Sequence, residues 1–368
     1  MEFKALRFER KIDADFYKTL RERVNGYFET NNISRTANAA MVFKTITLIA
    51  LYFIPYYFII TGTVSATLPF LGLWLVMGLG AAGIGFSIMH DANHGAYSTN
   101  KYVNIALGQL MNILGANSSI WKLQHNVLHH SFTNIDGADG DINSPGFLRF
   151  SPHQQVRPIH RYQHIYAWFM YGFMIILKVL YTDFTQAFHF RKIRLVKTRK
   201  DFMMLLMKIS FWKVIYFGTF LVLPMVLLPI SNWLIILGFF LMHYVVGMAM
   251  AVIFQAAHVM PETEFPLATA EGNVENNWAV HQMITTTNFA PNNKLLSWYV
   301  GGLNYQVEHH LFPTICHIHY SEISKIVKET AHEFGVPYNT IGNFRSTIAE
   351  HAKMLYMLGH NINTPQAA

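Results

Sequence analysis

The chain has 368 residues, of which 52% are hydrophobic and 15% aromatic, while only 13% are charged. A soluble domain carries about twice that charged fraction, so the composition points to an integral membrane protein, and the formal net charge of +7 is read below as a topology signal, with no nucleic acid expected as a partner. The single cysteine, Cys316, excludes an internal disulfide and any cysteine-based zinc or iron–sulfur site.

The opening MEFKALRFERKIDADF has charges but no apolar stretch, so no cleavable signal peptide is read there. Residues 1–44 are taken as a basic cytoplasmic segment. Four spans follow, at about 45–60, 68–89, 211–228 and 233–255. Leu68–Met89 carries no charge, and its 22 residues at ~1.5 Å each give roughly 33 Å against a hydrocarbon core of about 30 Å. The connectors TGTVSAT and PISN are too short for anything but tight helical hairpins. All 28 Lys and Arg lie in the N-terminal segment, in Lys101–Lys213 or in the tail from Lys294, which places these three regions in the cytoplasm and both connectors outside. Tyr102–Trp121 and Ile165–Tyr181 are apolar but interrupted by polar residues, so they are read as helices in the interface or dipping partway in. Ser321–Gly359 reads as an amphipathic helix broken at Gly335 and Pro337. The expected fold is an all-α membrane protein, two hairpins plus interfacial helices and a cytoplasmic cap, with one domain over 45–360 and a short tail over 361–368.

The 19 histidines are unevenly placed. HDANH sets His90 and His94 four apart at the end of the second span, so both rings share a helix face. HNVLHH sets His125 and His129 on one face, with His130 a little round the cylinder. QVEHH sets Gln306 four before His310, with His309 beside it, and FQAAH puts His258 just past the fourth span. A lone histidine in an apolar segment is ordinarily a packed or interfacial hydrogen-bonding residue, and that reading is given to His153, His160, His164, His189, His243, His332, His351 and His360, and with less separation to His317 and His319. The grouped set resists it, because each buried ring nitrogen needs a partner. Eight imidazoles exceed the needs of one ion, so two ions are the economical reading. Imidazole suits Zn, Cu, Fe and Ni alike, and the spacing does not identify the element.

The boxes HDANH, HNVLHH and QVEHH, in this order and separation, resemble those of the membrane-bound fatty acyl desaturases. The likeness runs from Thr45 to the tail. Gln306 at the head of the third box, and the surrounding WAVHQMITTTNFAPNNKLLSWYVGGLNYQVEHHLFP, are similar to the front-end branch, which desaturates between an existing double bond and the carboxyl end. The resemblance implies a di-iron centre held by His90, His94, His125, His129, His130, His258, His309 and His310, with O2 as co-substrate and Gln306 as a weak ligand or water holder. Two departures stand out. Phe254 occupies the position where stearoyl-type members place an asparagine that holds a metal-bound water, leaving Gln255 as the nearest substitute. No HPGG haem motif of a fused cytochrome b5 domain occurs, so the electrons are expected from a separate ferredoxin or cytochrome b5-type donor and its reductase, drawn to a basic face.

An unactivated methylene has no acidic proton and no leaving group, so acid–base or nucleophilic groups cannot remove its hydrogens, whereas reduced iron with O2 supplies a sufficient oxidant. Acceptors next to the ligands should fix each ring's tautomer. The candidates are Asp91, Asn126, Asp139, Asp141, Gln255 and Glu308, with His281 as an extra ligand or proton carrier. The expected substrate is a fatty acyl chain, on coenzyme A or a phospholipid, in a dry apolar tunnel within the bilayer. A hydroxylase of the same fold remains an alternative, because spacing does not decide whether oxygen ends on carbon. A His-lined ion transporter would need ionisable groups at mid-membrane depth, and only His243 approaches it. With no lysine-based or KDEL retention signal in NTPQAA, a bacterial plasma membrane is favoured over endoplasmic reticulum.

Overall fold

A computed structural model describes residues 6–9, 14–143 and 146–362. The described residues divide into two compact units, one built from 38–123 and 168–252, the other from those within 6–37, 124–167 and 253–362.

Four helices are long and apolar enough to cross a membrane: Ala39–Ile60, Thr67–His94, Arg199–Leu227 and Asn232–His258. They form the two expected hairpins, and each is longer than the apolar run that signalled it. Caps explain part of the extension. The Asn38 side chain accepts from the Met41 amide at 3.1 Å, starting the first span inside the segment read as 1–44. Thr198 accepts from the Asp201 amide at 3.0 Å and starts the third well before 211. In the first hairpin the backbones approach closely at Gly80, where a Cβ would sit 2.7 Å from the Tyr52 nitrogen; without a hydrophobic driving force between helices in lipid, such small residues set the packing. Outward-facing Phe43, Val214, Val226 and Trp233 stay exposed, as lipid-facing positions do.

Two spans of sequence expected to lie in the interface are broken helices. Over Tyr102–Trp121 the chain forms Lys101–Gly108, Leu110–Ile113 and Ser118–Lys122; Gly115 at φ +90° turns the chain, and Asn117 caps the last piece by accepting from Ser119 and Ile120. Over Ile165–Tyr181 a helix pair, Pro158–Tyr171 and Phe173–Lys192, is bent at Gly172 and has the composition of a broken fifth span or a re-entrant segment.

In the second unit the N-terminal segment carries a helix, Ala14–Thr30, that charge alone had hidden. Phe16, Leu20, Val24 and Phe28 recur at helical spacing and pack with Ile323, Val327 and Ala331 of Tyr320–Glu333 and with Val307 and Leu311 of the third-box helix. Arg23 and Glu333 close the pair with a two-pronged contact at 2.8 and 2.7 Å. The amphipathic tail is Tyr320–Glu333 and Phe344–Gly359, separated at Gly335, φ +66°. Of the short tail at 361–368, residues beyond 362 lie outside the described residues.

Candidate metal centre

One histidine box follows a π-helical turn and another lies within one, a rare local widening that favours functional positions. Residues Ile84–Met89 are π-helical and run directly into the α-turn His90–His94. In this first unit the His90 and His94 rings stand 4.8 Å apart by centroid, and the Trp121 ring packs against both at 5.5 and 5.6 Å. Asp91 has a carboxylate oxygen 3.9 Å from His90 Nδ1.

The second box is itself π-helical over Leu123–His129. An α-helix would turn His130 away from His125, as the sequence period implied. Hydrogen bonding from i to i+5 instead stacks residues five apart, and the two Nε2 atoms lie 3.2 Å from each other. His130, read as off the shared face, is therefore on it.

Six histidines meet in the second unit: His125, His129, His130, His258, His309 and His310. Ring centroids of His129, His258 and His310 are 4.7, 4.9 and 4.8 Å apart pairwise. His130 lies 4.4 Å from His310 and 4.6 Å from His309. One ring nitrogen from each of His129, His258 and His310 falls within 4.8 Å of the others, as it does for His130, His309 and His310, and for His125, His129 and a carboxylate oxygen of Asp141.

The outer ring nitrogens show why these rings point inward. His129 Nδ1 is 3.0 Å from Asp139 Oδ2 and 3.5 Å from Asp141 Oδ2. His310 Nδ1 is 2.7 Å from Gln282 Oε1, and His258 Nδ1 is 3.2 Å from the Thr285 carbonyl oxygen. All three partners are acceptors, so each imidazole donates from Nδ1 and leaves Nε2 as the nitrogen a metal can take, with a cation displacing any proton there. His309 Nδ1 meets the Tyr320 hydroxyl at 3.3 Å. Burial opposes charge on His129, but the Asp139 and Asp141 carboxylates outweigh it and raise the ring to about 9. Burial likewise opposes the Asp139 carboxylate, and His129 with the amides of Asp141 and Asn134 holds it below its usual range. The two carboxylates thus favour positive charge at His129.

A metal fits this donor set. His258 Nε2 is buried and has no hydrogen-bond partner among the described residues, a state that costs about 1–3 kcal/mol for a polar atom and that a cation relieves. Nitrogen–metal bonds of about 2.1 Å put two ligands on one ion up to roughly 4 Å apart, close to the observed convergence. Neutral nitrogen donors suit the borderline transition metals.

Other candidates lie differently. Gln306 is buried at the start of its helix, and its Nε2 has no partner among the described residues. Glu308 turns from the rings: it accepts from Asn288 Nδ2 at 2.8 Å and from the Tyr338 hydroxyl at 3.0 Å, and burial raises it to about 7 against those two bonds. His281 stands outside the clusters, its Nε2 2.9 Å from the Thr133 carbonyl, and burial pushes it down to about 4. Gln255 Nε2 donates to the Asp141 carbonyl at 3.3 Å, steadying the loop that carries the carboxylates. The Phe254 ring lies 6.2 Å from His125. Asn126 is half-buried between His125 and Val127. The sequence reading missed Gln282 and Tyr320; the signal for Gln282 was a polar residue beside His281 in the otherwise apolar WAVHQMI helix.

The fatty acid desaturase family model matches residues 65–342. The chain is 37% identical over 353 residues to an sn-1 linoleoyl-lipid 6-desaturase of Arthrospira platensis, covering 95% of this chain and 94% of the relative. It is 35% identical over 349 residues to the protein of that name in Synechocystis, covering 94% and 95%, and 36% identical over 349 residues to an acyl-lipid (8-3)-desaturase of Physcomitrium patens, covering 94% and 72%. A membrane-spanning helical chain with converging imidazoles, matched along most of its length by these enzymes, belongs to the fatty acid desaturase family.

Proposed function

We propose that the protein is a front-end acyl-lipid desaturase that inserts a cis double bond into a fatty acyl chain carried by a membrane glycerolipid, on the carboxyl side of an existing double bond. The names of the relatives support the lipid carrier and the position, and Gln306 in the third box supports the front-end branch. Residues 45–360 act as one catalytic domain, with the histidines at the cytoplasmic face of a bacterial plasma membrane.

The observation that carries the reading is the set of second-unit imidazoles pinned through Nδ1, with His258 Nε2 buried and without a hydrogen-bond partner among the described residues. Two iron ions held by His90, His94, His125, His129, His130, His258, His309 and His310 would supply, with O2 and two electrons from a separate ferredoxin or cytochrome b5-type carrier, the oxidant for an unactivated methylene. The chain's own residues do the rest. Asp139, Gln282 and the Thr285 carbonyl hold the ligand tautomers. The wholly buried surroundings of His309 and His310 keep water out, and Gln306 offers an amide beside the ligands.

Expression in a lipid-producing host fed linoleate, with mass spectrometry locating new double bonds in each lipid class, tests the proposal. A new double bond between the existing ones and the carboxyl group, appearing first in glycerolipids, is expected. Hydroxylated chains from metal-loaded protein would favour the hydroxylase alternative and overturn the desaturase outcome.

A further inference from the structure

We propose that Gln282 is a positioning residue of the metal centre: its amide oxygen holds His310 as an Nδ1–H ligand without adding negative charge, leaving His129 as the stronger donor of the two. The proposal rests on the metal reading above and adds an electronic asymmetry to it.

The contacts define the amide's orientation. Gln282 Oε1 is 2.7 Å from His310 Nδ1 and 2.9 Å from Thr133 Oγ1. Thr133 Oγ1 is also 2.7 Å from the His129 carbonyl oxygen, so its single proton is shared between two acceptors. A reversed amide would aim its NH2 group at His310 Nδ1, make that nitrogen an acceptor, and move the ring proton to Nε2, where it would block a cation. The observed orientation avoids this, but it leaves Gln282 Nε2 buried without a partner among the described residues. For a residue serving only to fill space this is unfavourable, and leucine or methionine would pack the site without it. The orphaned NH2 is the consequence of placing an amide oxygen against His310.

The three converging rings have unlike acceptors. His129 faces the Asp139 carboxylate at 3.0 Å, His258 a peptide carbonyl, and His310 a side-chain amide. A carboxylate draws the Nδ1 proton harder than an amide does, which makes the opposite nitrogen more basic. His129 is therefore the electron-rich ligand, and His310 and His258 are ordinary neutral ones.

The test compares the full-length wild type, Gln282→Leu and Gln282→Glu in lipid nanodiscs. Metal-depleted samples are titrated with Co2+ by visible absorption, and iron-loaded samples have their midpoint potentials measured. Gln282→Leu should bind Co2+ about 10- to 100-fold more weakly. Gln282→Glu, which keeps an acceptor of the same shape, should restore affinity and lower the potential below that of the wild type, a change that packing alone would not produce. The proposal is overturned if Gln282→Leu binds like the wild type, or if Gln282→Glu is as weak as Gln282→Leu. A wild type that binds no Co2+ would overturn the metal reading itself, and this proposal with it.

Discussion

Each unit buries a polar network, and the two networks are finished differently. In the first, Lys213 Nζ donates to the Gly115 carbonyl at 2.6 Å and the Lys178 carbonyl at 3.1 Å and pairs with Asp183 at 2.8 Å. Lys178 reaches the same carboxylate at 3.3 Å, and Asp183 also accepts from the Asn117 amide at 3.0 Å. All three donors of Lys213 are used. The histidine network of the second unit is held from its outer side by acceptors, and on its inner side His258 Nε2 has no hydrogen-bond partner among the described residues. Burial and charge are common to both. What separates the functional network is convergence: ring nitrogens of several histidines gather at one place, whereas the first network's carboxylate is met by two ammonium groups.

Substitutions can break that contrast. His258→Ala or His129→Ala should eliminate detectable product and lower metal per purified chain together, read by lipid mass spectrometry and elemental analysis. Lys213→Met should leave metal per folded chain unchanged and instead destabilise the protein by about 1–3 kcal/mol, because Asp183 keeps Lys178 and the Asn117 amide, seen as a fall in the thermal midpoint. Loss of metal in that variant at full stability would erase the distinction between the networks.

Smaller effects sharpen it. His351 Nδ1 donates to the Val259 carbonyl at 2.9 Å, and burial lowers the ring from 6.5 to about 4. Its folded-state value lies below the unfolded one, so the stability it contributes is complete above pH 6.5 and is lost as the pH falls toward 4. His351→Gln should remove one proton from that slope, ~1.4 kcal/mol per pH unit, in thermal midpoints measured across the window. Tyr338→Phe removes one hydrogen bond to Glu308 and should cost about 1 kcal/mol while product formation persists, because this pair is turned from the rings.

The four spans were legible because uncharged runs of bilayer length admit few other meanings, and the boxes because imidazoles at i, i+4 share a helix face. Helix ends were misjudged where polar caps such as Asn38 and Thr198 extend a helix past its apolar run. His130 was placed round the cylinder because the α-helical period was assumed where the chain is π-helical. His243 was read as a packed residue, and it donates and accepts locally, with Tyr216 OH and the Phe239 carbonyl each at 2.7 Å. The acceptors behind the ligands were the hardest to find. Adjacency in sequence suggested Glu308, whereas contact selects Gln282, 28 residues from His310, and no local pattern encodes a partner that distant.

The most direct test of the central claim is the metal stoichiometry of the purified full-length protein beside that of His258→Ala, by elemental analysis. Two iron ions per wild-type chain are predicted, with loss of at least one in the variant. A wild type free of transition metal, or a variant with its full complement, would contradict the account.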